Sequence, residues 1–558
     1  MLGSSLLEAF RSGQLFRSYR QNIVAGLTVG IVALPLSMGL SIAVGLPPQH
    51  GLYTAIVGGI VITLLGGSPV NISGPTAAFV VILAPIVQQY GLGGLLVSGF
   101  LAGLILVAMG ALKIGKFIQT VPYPVVIGFT AGIGTVIAVL QVKDLIGLAP
   151  AEAGTHFFEK LQSYLGALDT FQWQEAFVGL STLAVIFFWK RISSRVPSYL
   201  VALFWGTALA SICNVVQGIP DVETISSRFS YSIGDLIGQG IPPFAPSFAL
   251  PWNLITADGS STGFSFELLQ TFFGAAFTIA VLGALESLLC AVVADGMTGK
   301  QHDPDAELIG QGLGNMVVPF FGGIPATAAI ARTALNVRTG GTTPVSAVVH
   351  SLFLLAAILF LAPLLSYIPM AAMAAILVAV AWNMSEVSHV IHLIKTAPKP
   401  DISVFIVCYG LTVVIDMQVA VAAGMVMAAA FFLRRMSELT STTVLAEHEK
   451  HPHIATKEGI VVYDVDGPLF FGAAHKALRV VTALDKTIHS VVLDISGVPM
   501  VDTTAMVNIR SLASSLKQSG IKLYLLSPQP HIRTKLQRFK LGTAPNNIVI
   551  TDDPFEID

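Results

Sequence analysis

Two proline-initiated segments inside apolar stretches carry the chemistry that this sequence is equipped to perform. One reads Pro75-Thr76-Ala77-Ala78, the other reads Pro325-Ala326-Thr327-Ala328-Ala329, and each follows glycine. Each predicts the start of a helix that is too short to cross a bilayer. A helix start leaves backbone N–H groups unpaired and carries partial positive charge, so two such starts at membrane depth predict an anion-binding site.

Small and hydroxyl-bearing side chains dominate these two predicted helix starts. Small side chains let a ligand approach the backbone closely, and hydroxyl groups can donate hydrogen bonds to an anion. The alternative is that Ala and Thr only permit two helices to cross tightly. The predicted anion contacts are Ser73, Thr76, Ala77, Ala78, Phe79, Thr327, Ala328, Ala329 and Arg332.

One acidic and one basic residue lie deep inside predicted membrane segments. No other charged residue stands between Glu267 and Asp295, so Glu286 is near the middle of its segment. A charge at that depth costs about 3 kcal/mol and therefore needs a partner or a function. Burial favours the protonated form of a carboxylate, and we predict that Glu286 couples transport to a proton. Arg332 would attract the anion; a structural ion pair with Glu286 is the alternative.

The composition is that of an integral membrane protein. Of the 558 residues, 54% are hydrophobic and 11% are charged, and the mean hydropathy is +0.76. The three cysteines, Cys213, Cys290 and Cys408, are too widely spaced for a metal site, so we expect no metal and no cofactor. No catalytic constellation of an enzyme is evident, and nucleic acid is not an expected partner.

Apolar runs predict about fourteen membrane segments once the two half helices, 75–89 and 326–338, are included. Positive residues follow the even-numbered segments, which places those ends in the cytoplasm. Seven segments in each half then give the second half the opposite orientation to the first, as in an inverted repeat. The predicted full spans are 22–45, 49–66, 91–112, 118–142, 175–190, 196–218, 267–294, 304–321, 344–365, 368–386, 400–416 and 418–434.

The chain changes to a soluble pattern near residue 437. Strands are predicted at 459–465, 490–495 and 522–526, and amphipathic helices at 473–484 and 503–519. Alternating strands and helices predict a small α/β domain. The predicted organisation is a cytoplasmic segment 1–21, a transport domain 22–436, a linker 437–452 and a cytoplasmic domain 453–558.

Several segments resemble one family of transporters. The segments are Gly45-Leu-Pro-Pro-Gln-His-Gly-Leu-Tyr53, Ser73-Gly-Pro-Thr-Ala-Ala78, Gly283-Ala-Leu-Glu-Ser-Leu-Leu289 and Arg332-Thr-Ala-Leu-Asn336, and they are similar to signature segments of the SulP anion transporters. The resemblance implies an all-α membrane domain of two seven-segment inverted repeats with core and gate domains. It also implies substrate binding between the third and tenth helix ends, and it supports proton coupling at Glu286.

The soluble part resembles the STAS domain that follows the membrane part of this family. Asp494-Ile-Ser-Gly-Val498 and Val501-Asp-Thr-Thr-Ala505 carry that similarity. Asp502, Thr503 and Thr504 are candidate regulatory residues, because Thr503 and Thr504 stand where signalling relatives carry a phosphorylated Ser. The expected partners of this domain are a cytoplasmic protein or a nucleotide, and the family implies a homodimer in the bacterial inner membrane with both termini cytoplasmic.

The substrate prediction depends on a narrower resemblance. Residues 282–299 and 311–315 are similar to the DauA-type branch, which is associated with C4-dicarboxylates such as succinate, fumarate and aspartate. Many sulfate-type members have a Gln and a Tyr where this chain has Leu36 and Leu40, which weakens a sulfate assignment. We therefore expect proton-coupled uptake of C4-dicarboxylates. The alternatives are sulfate or bicarbonate transport or exchange, and an uncoupled anion channel.

Overall fold

The chain folds into two compact units, residues 1–425 and 426–558. The computed structural model describes residues 3–118, 121–150, 157–192, 196–216, 220–233, 236–253, 266–438, 441–444, 459–470, 487–542, 547–553 and 557. The first unit is helical and contains the two predicted helix starts. The second contains a parallel sheet.

The first half of the membrane unit contains thirteen described α-helices and a π-helical turn, Thr54–Gly58, between α4 and α5. A short strand, β1 (Ser73–Gly74), precedes α6, and a hairpin of β2 (Ser230–Ile233) and β3 (Leu236–Gln239) follows the last helix. The helices are α1 Ser4–Arg11, α2 Gln14–Arg17, α3 Tyr19–Val44, α4 Pro48–Tyr53, α5 Gly59–Leu65, α6 Ala77–Ala111, α7 Gly115–Ile118, α8 Tyr123–Leu140, α9 Val142–Ile146, α10 Phe157–Gly166, α11 Trp173–Ile192, α12 Ser198–Val215 and α13 Ile225–Arg228.

The second half begins with the long helix that contains Glu286. A second short strand, β4 (Thr327–Ala328), precedes the short helix that contains Arg332. The helices are α14 Phe266–Thr298, α15 Pro304–Val317, α16 Ile330–Arg338, α17 Val345–Leu365, α18 Met370–Met384, α19 Val387–Thr396, α20 Lys399–Val414 and α21 Met417–Glu438.

Among the described residues, nine helical stretches are long and apolar enough to cross a membrane. The shorter apolar helix Trp173–Trp189 and the half helices add to these, so the helix count is compatible with the predicted fourteen spans or so. The prediction of a polytopic helical membrane domain is therefore confirmed.

The membrane helices pack as two groups. The core group comprises α3 to α6 and α14 to α17, which pack mainly on one another, for example α15 on α6 and α17 on α3. The gate group comprises α8, α11, α12, α18 and α20, where α20 packs on α8 and α11 on both α12 and α18. Fewer contacts, such as α3 with α18 and α6 with α8, join the groups. Both helix starts belong to the core group.

The first half helix is as predicted, whereas the second begins later than predicted. The helix α6 is interrupted at Gly91, whose φ of 65° and ψ of −168° break the helical path between the predicted segments 75–89 and 91–112. The predicted half helix 326–338 was wrong at its start, because α16 begins at Ile330. Thr327 and Ala328 instead form β4, since their backbone pairs with β1.

The second unit has a five-stranded sheet in the order β5-β6-β7-β8-β9. The strands are β5 Ser441–Val444, β6 Ile460–Asp466, β7 Ser490–Asp494, β8 Lys522–Leu526 and β9 Ile548–Thr551, with helices α22 Thr503–Gln518 and α23 Pro530–Arg538. The last four strands are parallel, and apolar residues of β7, β8 and α22 form the core. These elements confirm the predicted strands and the helix 503–519, whereas the predicted helix 473–484 lies outside the described residues.

Candidate functional site

An antiparallel pair of two-residue strands brings the two helix starts together. Ser73 of β1 pairs with Ala328 of β4, and Gly74 pairs with Thr327. Each strand leads directly into its helix, α6 on one side and α16 on the other. Since the strands run in opposite directions, the two helices leave the pair in opposite directions and their N-terminal ends meet there.

The start of α6 has unpaired backbone and side-chain hydrogen-bond donors. Thr76 is extended, with φ −125° and ψ 155°, and its side chain does not cap the helix. The first-turn N–H groups of Ala77 and Ala78 have no acceptor among the described residues. The hydroxyl groups of Ser73 and Thr76 are buried and have no hydrogen-bond partner there either. The two N–H groups and the Ser73 hydroxyl are therefore unpaired donors at this end, and the Thr76 hydroxyl lies beside the Glu286 carboxyl group.

The start of α16 is placed differently from the sequence prediction. Ala328 N donates to Ser287 Oγ at 3.3 Å and Ala329 N donates to the Ile72 carbonyl oxygen at 3.0 Å. These two N–H groups are occupied, contrary to the prediction that they face the anion. The available N–H groups are those of Ile330 and Ala331, which are exposed and have no acceptor among the described residues.

The Thr327 hydroxyl is also engaged within the protein. Its Oγ1 lies 3.1 Å from Ser287 Oγ and donates to the Ala328 carbonyl oxygen at 3.1 Å. Ser287 therefore fastens β4 to α14. The sequence prediction missed Ser287, although its position directly after Glu286 was a usable signal.

Arg332 lies next to the strand pair and is 4% exposed. Its Nη2 donates to the Pro75 carbonyl oxygen, whereas Nη1 has no hydrogen-bond partner in the part of the chain that the structure describes. The guanidinium group packs against Gly74, where an added Cβ would lie 2.7 Å from Nη1. Arg332 thus spans the two halves of the site and keeps one donor nitrogen unused.

Glu286 lies on α14 and is half-buried. Within the described residues its Oε2 has no hydrogen-bond partner of ordinary geometry, and the Thr76 hydroxyl lies close to the carboxyl group. Both Glu286 and Arg332 are described, and they form no ion pair within 4.0 Å. The structural pairing that the sequence offered as an alternative is absent from this conformation of the chain.

The net charge at the site depends on the protonation state of Glu286. Each helix start contributes about half a positive charge, and Arg332 contributes a full one. The sum is about +2 when Glu286 is neutral and about +1 when Glu286 is ionised. Protonation of Glu286 therefore strengthens the attraction for an anion, most of all for one that carries two negative charges.

Apolar side chains of α6 and α3 are buried within the core group. Phe79 is 1% exposed, and an added Cβ at Gly283 of α14 would lie 3.4 Å from its Cζ. Leu36 and Leu40 of α3 are also mostly buried.

Two side-chain amides of α15 form hydrogen bonds with Ala326, the residue before β4. Gln311 Nε2 and Asn315 Nδ2 both donate to the Ala326 carbonyl oxygen, at 2.5 Å and 2.9 Å, and Ala326 N donates to Asn315 Oδ1 at 2.8 Å. Both amide side chains are buried. They support the backbone of the site rather than lining it.

The candidate regulatory residues of the second unit stand at a helix start. Asp502 Oδ1 accepts a hydrogen bond from Ala505 N at 2.7 Å and so caps α22. Thr503 and Thr504 are exposed in the first turn. In the part of the chain that the structure describes, no group of three or more His, Cys, Asp or Glu residues is arranged to hold a metal ion.

Comparisons with known proteins agree with this architecture. The model of the sulfate permease family matches residues 19–408, and that of the STAS domain matches residues 451–547. The chain is 37% identical over 529 residues to a putative sulfate transporter, YvdB of Bacillus subtilis, with 94% of each chain covered. It is 30% identical over 551 residues to the bicarbonate transporter BicA of a Picosynechococcus species, covering 94% of this chain and 92% of that protein.

A solved structure shares the fold of the whole chain. The structure of SLC26A9 superposes with a TM-score of 0.82, covering 98% of this chain and 91% of that one. Its sequence identity to this chain is 16%, so the likeness concerns the fold alone.

Proposed function

Because this chain belongs to the sulfate permease family of anion transporters, we propose that it is a secondary active transporter that moves a small anion together with a proton. The observation that carries the proposal is a pair of unsatisfied groups at the meeting helix starts. Arg332 Nη1 and Glu286 Oε2 are both buried, have no hydrogen-bond partner of ordinary geometry among the described residues, and form no ion pair with each other. A buried donor and a buried acceptor left open at one site favour two ligands, an anion and a proton.

The proposed mechanism is alternating access. The anion binds at the N–H groups of Ala77, Ala78, Ile330 and Ala331 and at the free nitrogen of Arg332. The proton binds at Glu286 and raises the positive charge available to the anion, so each ligand favours the other. Movement of the core group against the gate group then exposes the loaded site to the opposite side, since both helix starts travel with the core group.

The proposed substrates are small oxyanions, with bicarbonate and sulfate first. One guanidinium nitrogen and two helix starts suit a compact anionic group, and two relatives carry the names of bicarbonate and sulfate transporters. C4-dicarboxylates such as succinate, fumarate or aspartate are the second candidate. The observation that favours them is Phe79 in the first turn of α6, whose buried ring would provide an apolar contact for the carbon chain of such a molecule once the site opens.

The remaining parts of the proposal concern the setting of the protein. It includes a homodimer in a bacterial inner membrane, with the termini and the STAS domain in the cytoplasm. There the domain responds to a cytoplasmic protein or a nucleotide. Asp502, Thr503 and Thr504 are its proposed regulatory residues, because a phosphate on either exposed threonine would sit at the positive start of α22.

Uptake into proteoliposomes tests this proposal. Labelled bicarbonate, sulfate and succinate are supplied to the full-length protein over a range of concentrations, with empty liposomes as the control. We expect saturable uptake of at least one of these anions. Uptake that stays linear with concentration would identify an anion channel, and failure to move any anion would overturn the proposed function.

A further inference from the structure

The segment between α5 and α6, which includes β1, forms hydrogen bonds with other parts of the core group along almost its whole length. We call residues 67–75 the linker arm; it joins α5 to α6. Val70 O accepts from Asn336 Nδ2 at 2.8 Å, and Ile72 N donates to Thr333 Oγ1 at 3.0 Å. Both partners lie on α16, which also carries Arg332. The arm and α16 are thus fastened side by side.

The end of the linker arm holds Arg332 itself. Ile72 O accepts from Ala329 N, Ser73 and Gly74 pair with β4, and the Pro75 carbonyl oxygen accepts from Arg332 Nη2. That carbonyl is the only hydrogen-bond partner of the guanidinium group among the described residues. The position of the arm therefore decides where the guanidinium group points.

A buried carboxylate anchors the beginning of the same arm. Glu307 of α15 is 1% exposed, and its Oε2 accepts from Gly67 N and Ser68 N, both at 2.9 Å. Its Oε1 accepts from Asn71 Nδ2 at 2.8 Å. All three bonds are ones that a carboxylate accepts, and charge-assisted bonds of this kind are the strong ones.

The backbone around the anchor packs closely against α15 and the residue before it. An added Cβ at Gly66 would lie 2.8 Å from Glu307 Oε2, and one at Gly67 would lie 2.1 Å from the Asp303 carbonyl oxygen. The backbone thus runs directly over the start of α15. Three hydrogen bonds and close packing fix the arm at Glu307.

We propose that Glu307 is a positioning residue for the anion site, acting through the linker arm on Arg332. This inference rests on the proposed function, because it takes Arg332 to be the residue that binds the transported anion. Glu307 itself does not contact the anion. It sets the register of residues 67–75, and the carbonyl oxygen at the end of that segment aims the guanidinium group.

The test is Glu307→Gln in the full-length protein, with Asp305→Asn as the matched control. Asp305 lies on the same helix and loses the same charge, but its Oδ1 accepts from Gly115 N, away from the arm. In Glu307→Gln the bonds to Gly67 N and Ser68 N lose their charge assistance, and the new NH₂ group faces Asn71, whose amide must turn over and give up its contact with Cys290 to accept from it. We therefore expect the arm to loosen.

We expect Glu307→Gln to raise the KM for the transported anion about tenfold, the scale at which supporting groups act on a bound ligand, with Vmax within about twofold. Asp305→Asn should keep the wild-type KM. A purely structural role of Glu307 would lower the amount of active protein, and hence Vmax, and would leave KM unchanged. That result would overturn the inference.

Hydrogen–deuterium exchange provides a second measurement that does not require transport. We expect faster amide exchange of residues 67–75 and of the start of α16 in Glu307→Gln than in Asp305→Asn; equal exchange would contradict the inference. If Glu307→Gln fails to fold, Asn71→Ala removes only one of the three bonds and should show the same changes, with KM about threefold higher because a single hydrogen bond is lost. If the wild-type protein transports no anion, the proposed function is refuted. The hydrogen-exchange comparison would even then show whether Glu307 fixes the position of residues 67–75.

Discussion

Gly74→Ala tests whether the placement of Arg332 determines anion affinity. The new methyl group would lie 2.7 Å from Arg332 Nη1, whereas ordinary contact begins at 3.4 Å, so the guanidinium group must move by about 0.7 Å (3.4 − 2.7). That movement takes Nη1 away from the place at which we propose that it binds the anion. A hydrogen bond from Nη1 to the bound anion would contribute about 1.5–3 kcal/mol, and 1.4 kcal/mol corresponds to tenfold. We therefore expect the KM for the transported anion to rise at least about tenfold.

Concentration-dependent uptake into proteoliposomes measures this effect. The matched control is Gly274→Ala on α14, where an added Cβ meets nothing within 4 Å. The control should keep the wild-type KM, and both variants should reconstitute in similar amounts. A KM of Gly74→Ala within twofold of wild type would refute the reasoning, because Arg332 would then have no effect on affinity through its position.

Two further predictions concern hydroxyl and capping groups. Thr327→Val removes the bond to Ser287 Oγ and should lower the free energy of unfolding by about 1 kcal/mol, measured by thermal unfolding. The KM for the anion should stay within about threefold of wild type. A tenfold change in KM would show that this hydroxyl group binds the anion. Asp502→Ala removes the N-terminal cap of α22 and should destabilise this helix by about 1 kcal/mol. The measurement is hydrogen exchange of residues 503–507, which should become faster. Unchanged exchange would show that the cap does not stabilise the helix.

The sequence predicted the first half of the site better than the second. Pro75 precedes α6 by two residues, and Gly91 interrupts that helix where two apolar runs meet, as predicted. Pro325 gave the same local signal, yet α16 begins at Ile330. The difference arises from the pairing of β4 with β1, which joins residues more than 250 positions apart and leaves no local signal.

The supporting residues were harder to find than the charged ones. Glu286 and Arg332 stand out because each is isolated within an apolar stretch, and the structure places both beside the helix starts. Glu307 does not stand out in this way, because it follows Asp303 and Asp305 at the polar start of the predicted span 304–321. Its role depends on three N–H donors from another part of the chain, at positions 67, 68 and 71, and no spacing in the sequence relates those residues to it.

The unpaired state of Glu286 and Arg332 underlies the proposed coupling. A permanent ion pair would keep Glu286 ionised, so no proton could be carried together with the anion. Since they remain separate in the structure, a proton on Glu286 changes the charge that the anion meets. Transport of the anion should then depend on the proton gradient.

Gradient-driven uptake by Glu286→Gln tests this central claim most directly. The transported anion is supplied to proteoliposomes with and without an inward proton gradient, using wild type, Glu286→Gln and Asp305→Asn. The account predicts that the gradient accelerates uptake by wild type and Asp305→Asn, and that uptake by Glu286→Gln does not respond to it. A full response to the gradient in Glu286→Gln would contradict the account.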